Sequence, residues 1–158
     1  DHAHDHGHGD HGHGAHDAHA HAAHDDHGHD AGDMVLRAIG ARLDEVLTTG
    51  EIACRFGGEE FLVILRNITD AQAFSALTRF RERIQAHEFP QVGHITVSIG
   101  FTRILANLLP TSIIEQADIA LYYAKGHGRN QVQQYSELLA AGLIKPPASE
   151  AGSDIELF

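Results

Sequence analysis

The chain has no tryptophan, one cysteine, one methionine and four prolines in 158 residues, and each shortage excludes something. The single cysteine, Cys54, cannot form an intrachain disulfide, and this usage fits a reducing cytoplasm. Lying in an apolar run, Cys54 reads as a small buried hydrophobe. No apolar run reaches the ~18–20 residues of a membrane span, and no signal peptide is visible, so no membrane segment is expected. Bases are scarce as well: 11 Lys and Arg against 22 Asp and Glu give a formal charge of −11. Residues 1–30 hold seven Asp and no Lys or Arg, leaving 15 acids against 11 bases, or −4, for the remainder. That balance offers no surface for a nucleic-acid polymer. A hydrophobic content of 42% at this length suits one domain with one core and room for one site. The chain starts at Asp1 rather than Met and reads as a fragment of a longer protein.

What is abundant is histidine, and twelve of the fifteen histidines fall within the first 29 positions. Residues 1–27 form a low-complexity tract of His, Asp, Gly and Ala. Without large apolar side chains the tract cannot offset the entropy of ordering, so it is expected to be disordered on its own. Neutral imidazoles in such a tract can bind Zn²⁺, Ni²⁺ or Cu²⁺ at many loose sites, and the alternative is a solvated tail.

Order begins near Asp33. Val35, Leu36, Ile39, Leu43, Val46 and Leu47 recur at helical spacing until Gly50. Thr69 or Asp70 can cap a second helix to about His87, with Ala73, Phe74, Leu77, Phe80 and Ile84 on one face and Arg79, Arg81 and Arg83 mostly on the other. Pro90 and Gly93 break the chain, and residues 94–102 alternate as a strand at Ile95, Val97 and Ile99. Thr111 or Ser112 opens a third helix that ends at the 126–128 Gly-His-Gly turn. Residues 130–135 read as a last strand, 136–143 as a helical turn or two, and 145–158 as a poorly ordered tail. This order is α+β, a sheet with helices packed on one face. The expected division is a tract at 1–27, a domain at 28–143 and a tail at 144–158.

Between the first two helices, two β-prone runs at 52–56 and 61–65 flank Gly57 and Gly58, which is a hairpin signal. The tip carries adjacent carboxylates, Glu59 and Glu60, beside glycines with no side chain to obstruct a ligand. Paired acids and bare backbone suit Mg²⁺ carrying a polyphosphate, since Mg²⁺ takes one or two protein carboxylates and draws its other ligands from phosphate and water. A solvated turn with two glutamates has the same sequence.

Gly57-Gly58-Glu59-Glu60-Phe61 at a hairpin tip resembles the signature of the GGDEF domain, the catalytic domain of diguanylate cyclases. Three more segments resemble that family in its order and spacing: Gly-His-Asp-Ala-Gly-Asp at 28–33, Ile-Thr-Val-Ser-Ile-Gly at 95–100, and 117–130, which ends in Ala-Lys-Gly-His-Gly-Arg-Asn. The resemblance covers roughly residues 28–136. It implies a palm-like, ferredoxin-related fold, with the first strand missing or disguised here. It also implies an activity: two GTP molecules on two copies of the domain condense to cyclic di-GMP with release of pyrophosphate. The implied partners are GTP and a second copy, the implied cofactor is Mg²⁺ or Mn²⁺, and the location is cytoplasmic.

Carried over by motif, Glu59 would ligate the metal, and Glu60 would bind metal or deprotonate the attacking hydroxyl. Gly57 and Gly58 would leave room for nucleotide, and Asp33 would accept hydrogen bonds from the guanine edge. Lys125 and Arg129 would contact the terminal phosphates. Without the family, Asp33 would equally complement a helix N-terminus, and Lys125 and Arg129 would be helix C-terminal cations. His29 reads as a structural hydrogen-bonding residue and His127 as exposed. One departure stands out. Counting back from Gly28, the family's metal-binding Asp, phosphate-contacting Lys and guanine-contacting Asn fall on His16, His21 and His24, with Asp17 or Asp25 as the acids that could stand in. An inhibitory Arg-x-x-Asp is also absent, since residues 48–51 read Thr-Thr-Gly-Glu; Arg79 could correspond to a secondary inhibitory arginine, and a solvated helix face explains it as well. These losses leave open a degenerate module that binds nucleotide or a partner without turnover.

Overall fold

The computed structural model describes residues 26–46 and 51–147. The tract at 1–25 and the tail at 148–158 lie outside them, as do the expectations of disorder there. Helix α1 (Asp26–Val46) is the longest element. It begins earlier than the spacing predicts, because residues 28–33 form helix rather than a turn leading into one. Its glycines weaken a helix by roughly 1 kcal/mol each but do not stop one, and no proline interrupts the run. Ile39 and Leu43 are buried, and Val35 and Ala38 pack beside them.

Strands β1 (Ile52–Gly57) and β2 (Glu60–Ile64) form the expected antiparallel hairpin, with Cys54 opposite Leu62 and Gly57 opposite Glu60. A register shift between Arg55 and Gly57 marks a bulge at the tip. Every residue of β1 is exposed. Cys54 is therefore an exposed free thiol, not the buried hydrophobe its neighbours predict, because β1 pairs with β2 alone and, among the described residues, none buries it.

Helix α2 (Asp70–Ala86) starts at the expected cap. The Thr69 hydroxyl accepts from the Gln72 amide at 3.2 Å, and the Thr69 amide donates to Gln72 Oε1 at 3.0 Å, a complete capping box. Ala73, Phe80 and Ile84 are buried, but Phe74, assigned to the same face, is 47% exposed. Phe74 follows Ala73 by one residue and so points about 100° away from it.

The strand expected at 94–102 is divided. Strand β3 (Glu88–Phe89) pairs with β4 (Gly93–His94), while β5 (Ile99–Phe101) pairs in parallel with β6 (Val132–Gln134). Residues 95–98 between them carry no ladder. Alternation nevertheless holds: Ile95, Val97 and Ile99 pack on the core and Thr96 is exposed. Apolar alternation places side chains, but a ladder also needs a neighbouring strand. The described residues accordingly contain three two-stranded ladders rather than one sheet, and no strand precedes α1 among them.

Helix α3 (Pro110–Gly126) begins with Pro110 in its first turn, one residue before the expected cap at Thr111 or Ser112. Proline suits that place, since its missing N–H would have no intrahelical partner. Strand β5 runs against α3 so closely that a Cβ on Gly100 would lie 2.7 Å from Leu121 Cα, and nearer still to the Leu121 nitrogen and the Ala117 carbonyl oxygen. Helix α4 (Tyr135–Ala140) closes the order. The core has two parts. Ile39, Leu43, Phe80, Ile84 and Phe89 unite α1, α2 and β3, with Phe61 and Val63 of β2 packed on them; Ala120, Tyr135 and Leu138 unite α3 and α4.

Candidate functional site

The hairpin tip and the carboxyl end of α3 meet. Glu60 opens β2 and Lys125 lies in the last turn of α3, and Glu60 Oε1 is 3.8 Å from Lys125 Nζ. Both side chains are partly exposed, at 46% and 35%, so the pair contributes little to stability and stays open to exchange with other ions. Glu59 sits in the turn itself, exposed, and engages no partner among the described residues.

Neither glycine at the tip lies in the left-handed region. A Cβ on Gly58 would meet nothing within 4 Å, and one on Gly57 would touch only Glu60 Oε2 at 3.7 Å. The turn thus requires glycine at neither place for its own backbone or packing, and both leave open space beside the two carboxylates. Adjacent hard oxygen donors of this kind suit Mg²⁺ or Mn²⁺, which need few protein carboxylates when phosphate and water complete the shell. Among the described residues no group of three or more His, Cys, Asp or Glu is placed to hold a metal, so the donor set fits an ion brought with a phosphate rather than a closed protein cage.

Arg55, to which the sequence assigns no role, braces this tip. Its Nε and Nη2 donate to the Gly58 carbonyl at 3.0 and 2.5 Å. Its Nη1 lies 3.9 Å from Asp33 Oδ1. Asp33 is about two turns inside α1 rather than at its start, so complementing the helix N-terminus does not explain it. The guanidinium instead connects it to the hairpin. Position within the Arg-Phe-Gly-Gly string was the available clue to Arg55: its Gly58 partner is three residues away, whereas Asp33 comes from tertiary contact.

Arg129 follows α3 in a left-handed conformation, φ 59°, and its side chain is exposed, with no partner among the described residues. The turn that carries it is tied to strand β5: the Asn130 amide donates to Ser98 Oγ at 3.1 Å, and the Ile99 amide to the Gln131 carbonyl at 2.9 Å. His127 is exposed as expected, and its ring stacks on Tyr123 at 3.8 Å. The side chain of His29 lies outside the described residues. Arg79 is exposed and borders a groove at the base of the hairpin, between β2 and α2, with Arg66, Leu65 and Phe80; this groove is at the opposite end of the hairpin from Glu59 and Glu60.

Comparison with known proteins gives this geometry a context. The family described as "Diguanylate cyclase, GGDEF domain" matches residues 20–131. Diguanylate cyclase A of Treponema denticola is 35% identical over 106 residues, covering 65% of this chain and 29% of that protein. Response regulator PleD of Caulobacter vibrioides is 34% identical over 109 residues, covering 65% and 24%. The chain therefore spans less than a third of the length of these relatives. Among solved structures, the GGDEF domain of DgcB from Caulobacter crescentus, in complex with c-di-GMP, superimposes with a TM-score of 0.66 at 31% identity, over 69% of this chain and 67% of that one. The active GGEEF domain of a diguanylate cyclase from Vibrio cholerae gives 0.63 at 33% identity, over 68% and 70%. With its palm-like α+β fold and a family match across most of its length, this chain belongs to the GGDEF domain family.

Proposed function

We propose that this domain has diguanylate cyclase chemistry, joining two GTP molecules held by two copies of the chain. The observation that carries the reading is the approach of Lys125 Nζ to Glu60 Oε1 at 3.8 Å, which brings an acid of the tip and a cation at the end of α3 to one place. In each half-reaction a 3′-hydroxyl oxygen attacks the α-phosphorus of the opposite nucleotide. A new phosphorus–oxygen bond forms, the bond to the bridging oxygen breaks, and pyrophosphate leaves.

Glu60 accepts the hydroxyl proton, and Lys125 exchanges its contact with Glu60 for the terminal phosphates, joined there by Arg129. Asp33 accepts from N1–H and N2–H of guanine. Gly57 and Gly58 admit the nucleotide. A magnesium or manganese ion held by Glu59 and Glu60 would neutralise phosphate charge and lower the pKa of the hydroxyl. Because one copy supplies half a site, turnover requires positioning by a dimer.

The test is incubation of the chain with GTP and Mg²⁺, chromatography of the products, and Glu60→Gln alongside. Cyclic di-GMP from the parent and none from the variant is the expected outcome. A folded, dimeric chain that neither binds nor consumes GTP sinks the proposal. A second reading rests on His16, His21 and His24, which occupy the family's acid, lysine and asparagine positions: the domain binds GTP without turning it over. Calorimetric GTP binding with no product would favour it. The His-rich tract would then be the remaining metal-binding element, and Zn²⁺ or Ni²⁺ stoichiometry unchanged on deleting residues 1–27 would exclude that role.

A further inference from the structure

The turn after α3 is built in a way that ending a helix does not require. Gly128, Arg129 and Asn130 are left-handed in succession, at φ 103°, 59° and 46°. Only the first is a residue that adopts this conformation freely. A helix also leaves its last carbonyls without intrahelical donors. Backbone already serves one of them, since the Ala124 carbonyl accepts from the Arg129 amide at 2.9 Å and the His127 amide at 3.3 Å; the Gln131 side chain adds a tie across the turn, its Nε2 donating to the His127 carbonyl at 2.6 Å, with longer contacts to the Ala124 carbonyl at 3.2 Å and the Arg129 carbonyl at 3.3 Å.

The amide is itself oriented. Gln133, two residues on and hence on the same side of the strand, donates through Nε2 to Gln131 Oε1 at 2.6 Å. From the other side Arg81 of α2, whose side chain is 16% exposed, donates to Asn130 Oδ1 at 2.8 Å. These bonds fix the backbone on both sides of Arg129 and at the foot of Lys125. The two cationic side chains stay available, since Arg129 has no partner among the described residues and Lys125 has only the long contact to Glu60.

We propose that Gln131, oriented by Gln133, is a positioning residue for a polyphosphate grip formed by Lys125 and Arg129; the inference rests on the nucleotide reading above. It acts through the turn and touches no substrate. Removing its amide would leave the cations in the chain but no longer aimed at one point. Loss of aim should weaken binding of the terminal phosphates alone, because Asp33 and the hairpin tip lie on other elements.

The test compares binding of GTP and GMP, with Mg²⁺, to the full chain and to Gln131→Met, which preserves length and removes the donors. GTP affinity should fall about tenfold, the scale of a sub-ångström misplacement, with GMP affinity unchanged. A loss of overall fold would lower both together. If Gln131→Met does not fold, Gln133→Met leaves the amide in place but unoriented, and it should shift the GTP-to-GMP ratio in the same direction. A folded variant with an unchanged ratio overturns the proposal. The underlying reading fails in a different way: the parent chain then binds GTP no better than GMP, Lys125→Ala has no effect, and the positioning role falls with it.

Discussion

Replacing Gly100 by alanine separates packing from function. The added Cβ would sit 2.7 Å from Leu121 Cα and closer still to two backbone atoms of α3, a distance at which methyl groups are not accommodated. The three nearest atoms all belong to the α3 backbone rather than to the movable end of a side chain, so relief requires β5 to withdraw from α3. That movement would disturb the parallel ladder of Ile99 with Val132 and of Phe101 with Gln134, and with it the pairing that anchors the turn bearing Arg129. Overpacking of this kind costs about 3 kcal/mol, which lowers the melting temperature of a domain of this size by roughly 10 °C. Urea denaturation and calorimetry of Gly100→Ala measure it, with Gly58→Ala as the partner experiment. A Cβ on Gly58 meets nothing within 4 Å, so that variant should melt within about 0.5 kcal/mol of the parent while losing GTP binding. A Gly100→Ala protein as stable as the parent would refute the close-approach reasoning. A Gly58→Ala protein that melts early would show that glycine there serves the turn rather than a ligand.

Other expectations follow from single contacts. Thr69→Ala removes the hydroxyl of the α2 capping box and should cost about 1 kcal/mol in urea unfolding; no change would mean that Gln72 alone sustains the helix start. Phe80→Ala empties a buried position in the α1–α2 cluster and should cost about 3–5 kcal/mol, so a folded variant with an unaltered midpoint would contradict the assignment of the core. Cys54, exposed on β1, should react completely with a thiol reagent such as DTNB in the folded protein, whereas protection until denaturant is added would place it at a covered surface.

How much of this was legible beforehand depends on the range of the interaction concerned. The helices declared themselves because their apolar spacing is local, Ile39 and Leu43 being four residues apart, and α2 also through its cap, Thr69 and Gln72 being three apart; the starts of α1 and α3 lie earlier than expected. The hairpin did so for the same reason, with Gly-Gly between two β-prone runs. Misreadings arise where a residue's surroundings come from elsewhere in the chain. Cys54 has apolar neighbours in sequence, but burial needs a layer over β1, and none of the described residues supplies one. Ile95 and Val97 alternate correctly, yet residues 95–98 form no ladder because no strand among the described residues pairs with them. The site divides along the same line. Glu59, Glu60, Lys125 and Arg129 are visible as a motif; that Glu60 and Lys125 meet and that Arg55 connects the hairpin to Asp33 are facts of tertiary contact, and the Gln131 contacts, though local, depend on the left-handed turn that brings its side chain back to the end of α3. Chemistry-bearing residues can be read from the string because reactions restrict which side chains serve, whereas the residues that aim them are interchangeable polar groups whose selection is made by the fold.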